Sequence, residues 1–356
     1  MTIDNGGSAS ERIKRELDRN FLVEASAGTG KTTSLVSRVA AVVGTGADIR
    51  RMVAVTFTDR AASELKLRIR TELERCRERG GPDKERFKLA AEHLEEANIA
   101  TIHRFSSDLL RRYPIQAGLD PQFRVATPEE TRRLREEAFE RVFDGLLASD
   151  EPTLQRLFAR PDTTLAKLRR AAGQLLDYRA FRGPYSEPPL EHELRPAALA
   201  MRLRTFCIEA RTRPEREQIA LLAPSFYDLE RRLSAGTLDD HDLEAHLVAL
   251  EKDLRKVKVF SNRAPAQLEA ARDVLLALLP RFAQAASADL AAKLRRTLDP
   301  VIDHYQQIKQ VRGLVDFDDL LLFARDLVAS NAAVRAELRG RYTHLFVDEF
   351  QDTDRV

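Results

Sequence analysis

The stretch Val23-Glu-Ala-Ser-Ala-Gly-Thr-Gly-Lys-Thr-Thr33 follows directly on a short apolar run that begins at Phe21. From Ala25 onward it fits the phosphate-loop pattern G-x-x-x-x-G-K-[ST], except that the first position is Ala. Glycines let the backbone turn its N–H groups toward a phosphate, and the N-terminus of the next helix adds positive charge there. The stretch therefore predicts a nucleotide phosphate site between a strand at Phe21–Glu24 and a helix over residues 31–43.

Two side chains of this loop have expected roles. Lys31 is expected to supply a point charge for the β- and γ-phosphates of ATP, and the Thr32 hydroxyl is expected to bind Mg²⁺. The alternative is a glycine-rich turn that happens to carry a lysine. The predicted ATP-binding residues are Ala25, Ser26, Ala27, Gly28, Thr29, Gly30, Lys31, Thr32 and Thr33.

A second stretch, Leu345-Phe-Val-Asp-Glu349, is an apolar run that ends in two adjacent carboxylates. Adjacent residues at a strand end point to different sides. We therefore expect Asp348 to hold Mg²⁺ and Glu349 to orient the attacking water and accept its proton. The alternative is that two acids simply end a surface strand. Beside the phosphate loop, they complete one site for phosphate and metal, with Lys31, Asp348 and Glu349 as its catalytic residues.

The order of apolar runs predicts an α/β fold. Met52–Phe57, Asn98–Ile102 and Tyr342–Val347 have strand character and alternate with helical stretches, which is typical of a parallel sheet with helices on its faces. Between residues 127 and 300 almost everything has a helical period. We predict a first α/β part at 1–126, a largely helical insert at 127–300, and a return of the α/β part at 301–356.

Composition excludes several classes of protein. The chain has 58 Lys+Arg and 56 Asp+Glu, a formal net charge of +2, which argues against a uniformly basic coat for nucleic acid. Two cysteines, Cys76 and Cys207, are too few for a disulfide framework, a zinc site or an iron–sulfur cluster. No uninterrupted apolar run approaches the roughly 18 residues of a membrane span, and the N-terminus lacks an apolar signal core. We expect a cytoplasmic protein with no membrane partner.

Five stretches come in the order found in UvrD/RecB-type superfamily 1 DNA helicases, and the sequence of residues 23–30 resembles the RecB/AddA branch. The resemblance is firm over about 20–112 and 305–353 and loose over the insert. It implies a RecA-like motor domain, split by a helical subdomain, in a 3′–5′ DNA translocase driven by ATP in repair or recombination. The stretches are Ala25–Thr33, Thr56–Leu65, Thr101–Leu110, Gly313–Leu321 and Val347–Thr353.

The resemblance also implies contacts with DNA. Hydroxyls and an imidazole reach phosphate oxygens, and phenylalanine rings offer stacking faces. The alternatives are a core role for the two phenylalanines and a structural role for the histidine. The implied partners are single-stranded or duplex-end DNA and a second helicase–nuclease subunit. The implied DNA-contacting residues are Thr56, Phe57, Thr58, Thr101, His103 and Phe105.

The acidic cluster Asp316, Asp318 and Asp319 is interpreted as a helix start, with Phe317, Leu320 and Leu321 packing inward. Asp59 stands where these helicases often have Asn, and it is a good helix N-cap.

Two further departures from the family concern function. Ser8–Asn20 contains no Gln of the kind that reads adenine in many members. The chain stops three residues after Val347–Thr353, before the second motor domain that such helicases carry. We therefore expect part of a longer helicase, with poor activity on its own. The alternatives are a nucleotide-dependent DNA-binding module without turnover, and a phosphate-loop ATPase or kinase unrelated to DNA.

Overall fold

The computed structural model describes residues 9–24, 30–160, 163–180, 194–210, 228–229, 231–232, 235–236, 239–254 and 266–350. The chain divides into two compact units. The first comprises Met1–Thr127 with Gln310–Val356, and the second comprises Pro128–Lys309. The boundaries at residues 126 and 300 remain a prediction.

The first unit begins with α1 (Ala9–Arg15), α2 (Lys31–Gly44), β1 (Met52–Thr56), α3 (Asp59–Glu78), α4 (Lys84–Glu92), β2 (Asn98–Thr101), α5 (Ile102–Arg112) and β3 (Arg124–Val125). There follow α6 (Pro128–Ala148), α7 (Pro152–Phe158), α8 (Leu165–Asp177), α9 (Pro196–Ala210), α10 (Asp240–Leu254) and α11 (Ala266–Val311). The chain then forms β4 (Leu314–Val315), α12 (Phe317–Ser330), α13 (Ala332–Arg341) and β5 (His344–Val347).

The main sheet is small and parallel, with β1 between β2 and β5. Val55 of β1 is in register with Ala100 of β2 and with Val347 of β5. β3 and β4 form a separate parallel pair. The prediction of an α/β chain with a parallel sheet is confirmed, although helices make up most of the described structure.

The predicted strand at Phe21–Glu24 is wrong: these residues have no strand pairing in the described structure. The guanidinium of Arg38, on α2, donates to the carbonyls of Glu16 and Arg19 at 3.2 and 2.6 Å and lies over the Phe21 ring at 4.9 Å. Leu22 and Val23 stay 69% and 42% exposed. An apolar run becomes a strand only where a neighbouring backbone supplies ladder hydrogen bonds, and here the segment is tied to a helix instead.

The core of the first unit lies between β1 and helices α2 and α3. All five residues of β1 are buried, as expected for a strand covered on both faces. Helical spacing places Val36, Val39 and Val43 of α2, together with residues of α3 such as Leu65 and Ile69, in this core. The sequence predicted these helices because their apolar residues recur on one face.

A second cluster of the same unit joins α5 to α12. Leu109 and Leu110 of α5 are buried with Leu320 and Leu327 of α12. The start of α12 is fixed by a capping box, in which the Asp316 carboxylate accepts from the Asp319 N–H at 2.9 Å and the Asp319 carboxylate accepts from the Asp316 N–H at 3.0 Å. The interpretation of this acidic cluster as a helix start is confirmed.

The described part of the second unit contains helices and no strand. Its core joins α9, α10 and α11 through residues such as Leu203, Leu247 and Phe282. Within the part of the chain that the structure describes, one helix is long and apolar enough to cross a membrane, over Asp273–Val311. The expectation of no membrane span rested on uninterrupted apolar runs, which this helix does not have. Phe282 is fully buried, and core helices of water-soluble proteins meet the same criterion, so the finding is weak.

Buried charges connect three helices of the second unit. The Arg156 guanidinium of α7 pairs with Glu244 of α10 at 2.7 Å and also with Asp289 of α11. Arg160 reaches the same Glu244 at 2.8 Å. Burial alone would lower the pKa of Arg156, but hydrogen bonds to Glu244 and Asp289 outweigh burial and raise it. The cluster fixes how these helices pack, because a buried charge without its partner is costly.

We predict that Glu244→Gln lowers the free energy of unfolding by about 3 kcal/mol, because it leaves the buried Arg156 and the half-buried Arg160 without their shared carboxylate. Urea denaturation followed by circular dichroism measures this. The control is Glu140→Gln, whose pair with Arg169 spans 3.7 Å between exposed side chains. Its effect should stay below about 0.5 kcal/mol. Equal effects of the two substitutions would show that the buried cluster does not stabilise the unit.

Candidate nucleotide site and nucleic-acid interface

The carboxyl ends of β1 and β5 lie side by side. The Asp348 N–H donates to the Val55 carbonyl at 2.9 Å, which extends the strand pairing by one residue beyond Val347. Thr56, at the end of β1, and Asp348 therefore sit at the same edge of the sheet. Ligands of open parallel sheets bind at this edge.

The beginning of α2 provides the second part of the site. Ala25, Ser26, Ala27, Gly28 and Thr29 of the predicted loop lie outside the described residues. Gly30 is the N-cap of α2 and has φ +89°, a left-handed conformation that any other residue adopts only with strain. The first turn of α2 contains no acidic residue, so the positive end of this helix meets no carboxylate of its own.

One hydrogen bond joins the two stretches that the sequence singled out. The Thr32 hydroxyl donates to Oδ2 of Asp348 at 3.2 Å, although 316 residues separate them in the chain. Lys31 begins the same helix and is half-buried, and Thr33 is exposed. The structure therefore brings a lysine, a hydroxyl and a carboxylate of the predicted site together at one helix end.

Glu349 has an unusual backbone. Its φ is +54°, which for a residue with a side chain costs on the order of 1–3 kcal/mol. Its N–H donates to Oδ1 of Asp348 at 3.2 Å, so the Asp348 carboxylate accepts two hydrogen bonds. Such strain persists where the surrounding structure imposes it, and it concentrates at functional sites.

A shallow cleft connects the two candidate sets of residues. It is lined by Val55, Thr56, Phe57, Ile102, Val347, Asp348 and Glu349. The residues predicted to bind DNA at the end of β1 thus adjoin the carboxylates predicted to act on the nucleotide. The oxygen donors Thr32, Asp348 and Glu349 are hard ligands of the kind that Mg²⁺ prefers, so the residues present fit this ion.

The threonines expected at DNA differ in their surroundings. Thr56 is only 3% exposed, because it ends a strand that is covered on both faces, and its hydroxyl is not presented to solvent. Its expected contact with DNA phosphate stays a prediction. The hydroxyls of Thr58 and Thr101 accept from the N–H groups of Ala61 and Arg104, at 3.1 and 3.2 Å. These two threonines are N-caps of α3 and α5.

The N-cap of α3 differs from the prediction. Thr58 takes the position expected for Asp59, which instead becomes the first residue of the helix. Both residues are good caps, and the extended backbone of Thr58 decides between them.

The three ring side chains expected at DNA differ in exposure and in their neighbours. The Phe57 ring is 52% exposed at the edge of the cleft. Phe105 is half-buried, with its ring against that of Tyr342 at 5.9 Å, which is a packing role. The His103 ring stacks on Phe317 at 3.7 Å between centroids. Burial lowers the pKa of His103, and the nearby Asp318 carboxylate opposes that shift.

Phe317 was expected to pack inward and is 58% exposed instead. Helical spacing from Leu320 and Ala324 places it on the buried face, but it lies in the first helical position, where its ring meets His103 and not the core. Sequence reasoning therefore missed an aromatic side chain at the surface beside a predicted DNA contact. Its position directly after the capping residue Asp316 was the available signal.

Comparison with known proteins agrees with this geometry. The profile of the family described as UvrD/REP helicase N-terminal domain matches residues 8–356. The chain is 28% identical to an ATP-dependent helicase/nuclease subunit of Exiguobacterium sibiricum, over 95% of this chain and 32% of the relative. It is 25% identical to the exonuclease/helicase subunit RexA of Lactococcus lactis, over 95% of this chain and 33% of that protein.

A further relative is an ATP-dependent helicase/nuclease subunit of Limosilactobacillus fermentum, at 29% identity over 95% of this chain and 30% of the relative. The chain thus spans about a third of the length of the curated relatives that it matches. The resemblance to UvrD/RecB-type helicases that the five motifs indicated is confirmed. With the family profile matching nearly its whole length, the chain belongs to the UvrD/REP helicase N-terminal domain family.

Proposed function

We propose that this chain is the ATP-binding, RecA-like motor part of an ATP-dependent DNA helicase that moves 3′–5′ along single-stranded DNA in repair or recombination. The observation that carries the proposal is the hydrogen bond from Thr32 to Asp348, because it joins a phosphate-loop helix to a carboxylate strand end. Family membership supports DNA as the substrate. The names of the relatives support a helicase–nuclease assembly, with a further subunit of that assembly as the partner in the cytoplasm.

The residues divide the chemistry of ATP hydrolysis among them. The Lys31 ammonium and the N-terminus of α2 neutralise charge on the β- and γ-phosphates. The hydroxyl of Thr32 and the carboxylate of Asp348 would hold Mg²⁺, which would supply positive charge to neutralise the phosphate oxygens. Glu349 takes the proton of the attacking water, since a carboxylate beside the phosphate site is a suitable general base.

The DNA side of the proposal rests on exposed groups at the same sheet edge. Phe57 offers a stacking face, and Phe317 joins it as a second exposed ring. His103 is held against Phe317 and is proposed to donate a hydrogen bond to a DNA phosphate. Thr58 and Thr101 already cap helices, and they are proposed to orient α3 and α5 toward the strand.

We predict that Lys31→Ala weakens MgATP binding by about 10- to 100-fold, because charge-assisted hydrogen bonds to phosphate are lost. Isothermal titration calorimetry measures the affinity. The control is Lys14→Ala on α1, which should bind MgATP like the wild-type chain. Unchanged affinity of Lys31→Ala, with the fold intact by circular dichroism, would refute the phosphate site.

We predict that Glu349→Gln keeps MgATP affinity but reduces hydrolysis by about 10²- to 10⁴-fold, because an amide cannot take the proton from water. Steady-state ATPase assays with and without single-stranded DNA measure the rate. The control is Asp326→Asn, an exposed acid of α12 that pairs with Arg325, and its rate should match the wild type. Loss of nucleotide binding in Glu349→Gln would make Glu349 a ligand or a structural residue instead of a base.

We predict that Phe57→Ala weakens binding of single-stranded DNA by about fivefold or more, since stacking of one base on an aromatic ring contributes about 1–3 kcal/mol. Fluorescence anisotropy with a labelled oligonucleotide measures the affinity, and its salt dependence should not change because no charge is removed. Leu67→Ala, an exposed apolar residue of α3, is the matched control. If both variants bound DNA equally well, Phe57 would not be a stacking residue.

A further inference from the structure

The hydroxyl of Thr56 is a buried polar group at the carboxyl end of β1. Its oxygen has no hydrogen-bond partner among the described residues, and the residue is 3% exposed. The three other threonines at this edge, Thr32, Thr58 and Thr101, all engage their hydroxyls in hydrogen bonds. A buried hydroxyl left unsatisfied is destabilising, so it is rare in native structures and calls for a physical reason.

The strand register points to the partner of this hydroxyl. Ala54 is in register with Phe346, and both belong to the core beneath α2. Two residues further along, Thr56 and Asp348 form the next pair of the same row, because side chains repeat on one face with a period of two. Thr56 thus lies beside Asp348 on the face that carries α2 and its Thr32.

The Asp348 carboxylate is held loosely on this face. Its bonds from the Thr32 hydroxyl and the Glu349 N–H both span 3.2 Å, which is long for either kind of donor. A small rotation of the carboxylate is therefore inexpensive. Thr56 and Asp348 line the same cleft, so the unsatisfied Thr56 hydroxyl and the Asp348 carboxylate lie at one cleft.

We propose that the Thr56 hydroxyl donates a hydrogen bond to the Asp348 carboxylate when MgATP occupies the site, and so acts as a positioning residue for that carboxylate. This inference rests on the proposed nucleotide function. A group that hydrogen-bonds a metal ligand from behind fixes its orientation. A hydroxyl that donates to a carboxylate also stabilises the ionised form, which is the form that binds the metal. In the free chain this hydroxyl has no hydrogen-bond partner among the described residues, and in the loaded site the Asp348 carboxylate accepts from it.

The test compares Thr56→Val, which removes the hydroxyl at nearly constant volume, with Thr56→Ser, which keeps it. Thr56→Val should weaken MgATP binding by about three- to tenfold, the value of one hydrogen bond, and Thr56→Ser should restore it to within about twofold. Because Asp348 acts through the metal, the affinity of both variants for ATP in EDTA should equal that of the wild type. Calorimetry measures all of these affinities. A loss that is equal with and without Mg²⁺ would overturn the inference.

Thermal unfolding provides a readout that needs no nucleotide. Thr56→Val should keep or raise the Tm of the free chain, because it removes an unsatisfied group. The matched control is Thr153→Val, a buried threonine whose hydroxyl already donates to Glu151 at 2.9 Å, and it should lower Tm by about 2–4 °C. A drop of that size in Thr56→Val would show that the hydroxyl has a partner in the free chain, and the inference would fail.

The outcomes separate this inference from the function on which it rests. If the wild-type chain does not bind MgATP, the proposed function and the inference fail together. If the wild-type chain binds MgATP and Thr56→Val binds it equally well, the inference alone fails.

Discussion

The parallel pairing of β1 with β5 is the constraint on which the site depends. It joins Met52–Val55 to His344–Val347, segments from opposite ends of the sequence, and it sets Asp348 one residue beyond the last pair. This pairing brings the Asp348 carboxylate to the Thr32 hydroxyl at the N-terminus of α2. The entropy of closing a loop rises slowly with its length, so a large helical insertion between the two strands adds little to the cost of pairing them.

Local rules are broken at the site. Glu349 adopts a left-handed backbone that disfavours side chains, and Thr56 buries a hydroxyl without a described partner. Thr56 ends β1, in which every residue is buried, and Glu349 follows Asp348, whose N–H pairs with Val55 of that strand. The core around β1 supplies the free energy that tolerates both residues. A strained backbone and an unsatisfied polar group at strand ends are expected of a site whose contacts are completed only when the ligand is bound.

The charged cluster of the second unit differs from the site. Among the described residues of this cluster, each charged group has a partner of opposite charge. Arg156 and Arg160 share Glu244, and Asp289 completes the cluster. These contacts stabilise a particular packing of α7, α10 and α11. The sequence pattern predicted helices there, but it contained no sign of which charged residues would be buried, since each lies on a helix that also exposes many charges.

The sequence by itself determined the family and the class of the fold, and it predicted the chemistry of the site. Residue types at fixed spacing predicted three features: the phosphate loop before α2, the apolar strand ending in Asp348 and Glu349, and the start of α12 at Asp316. Capping and backbone conformation are local properties, so a local pattern specifies them. Tertiary structure decided which side chains are covered. It left Phe21–Glu24 without a strand partner, turned Phe317 outward onto His103 and buried Thr56. The physical reason is that burial depends on neighbours far away in the chain, which no local pattern specifies.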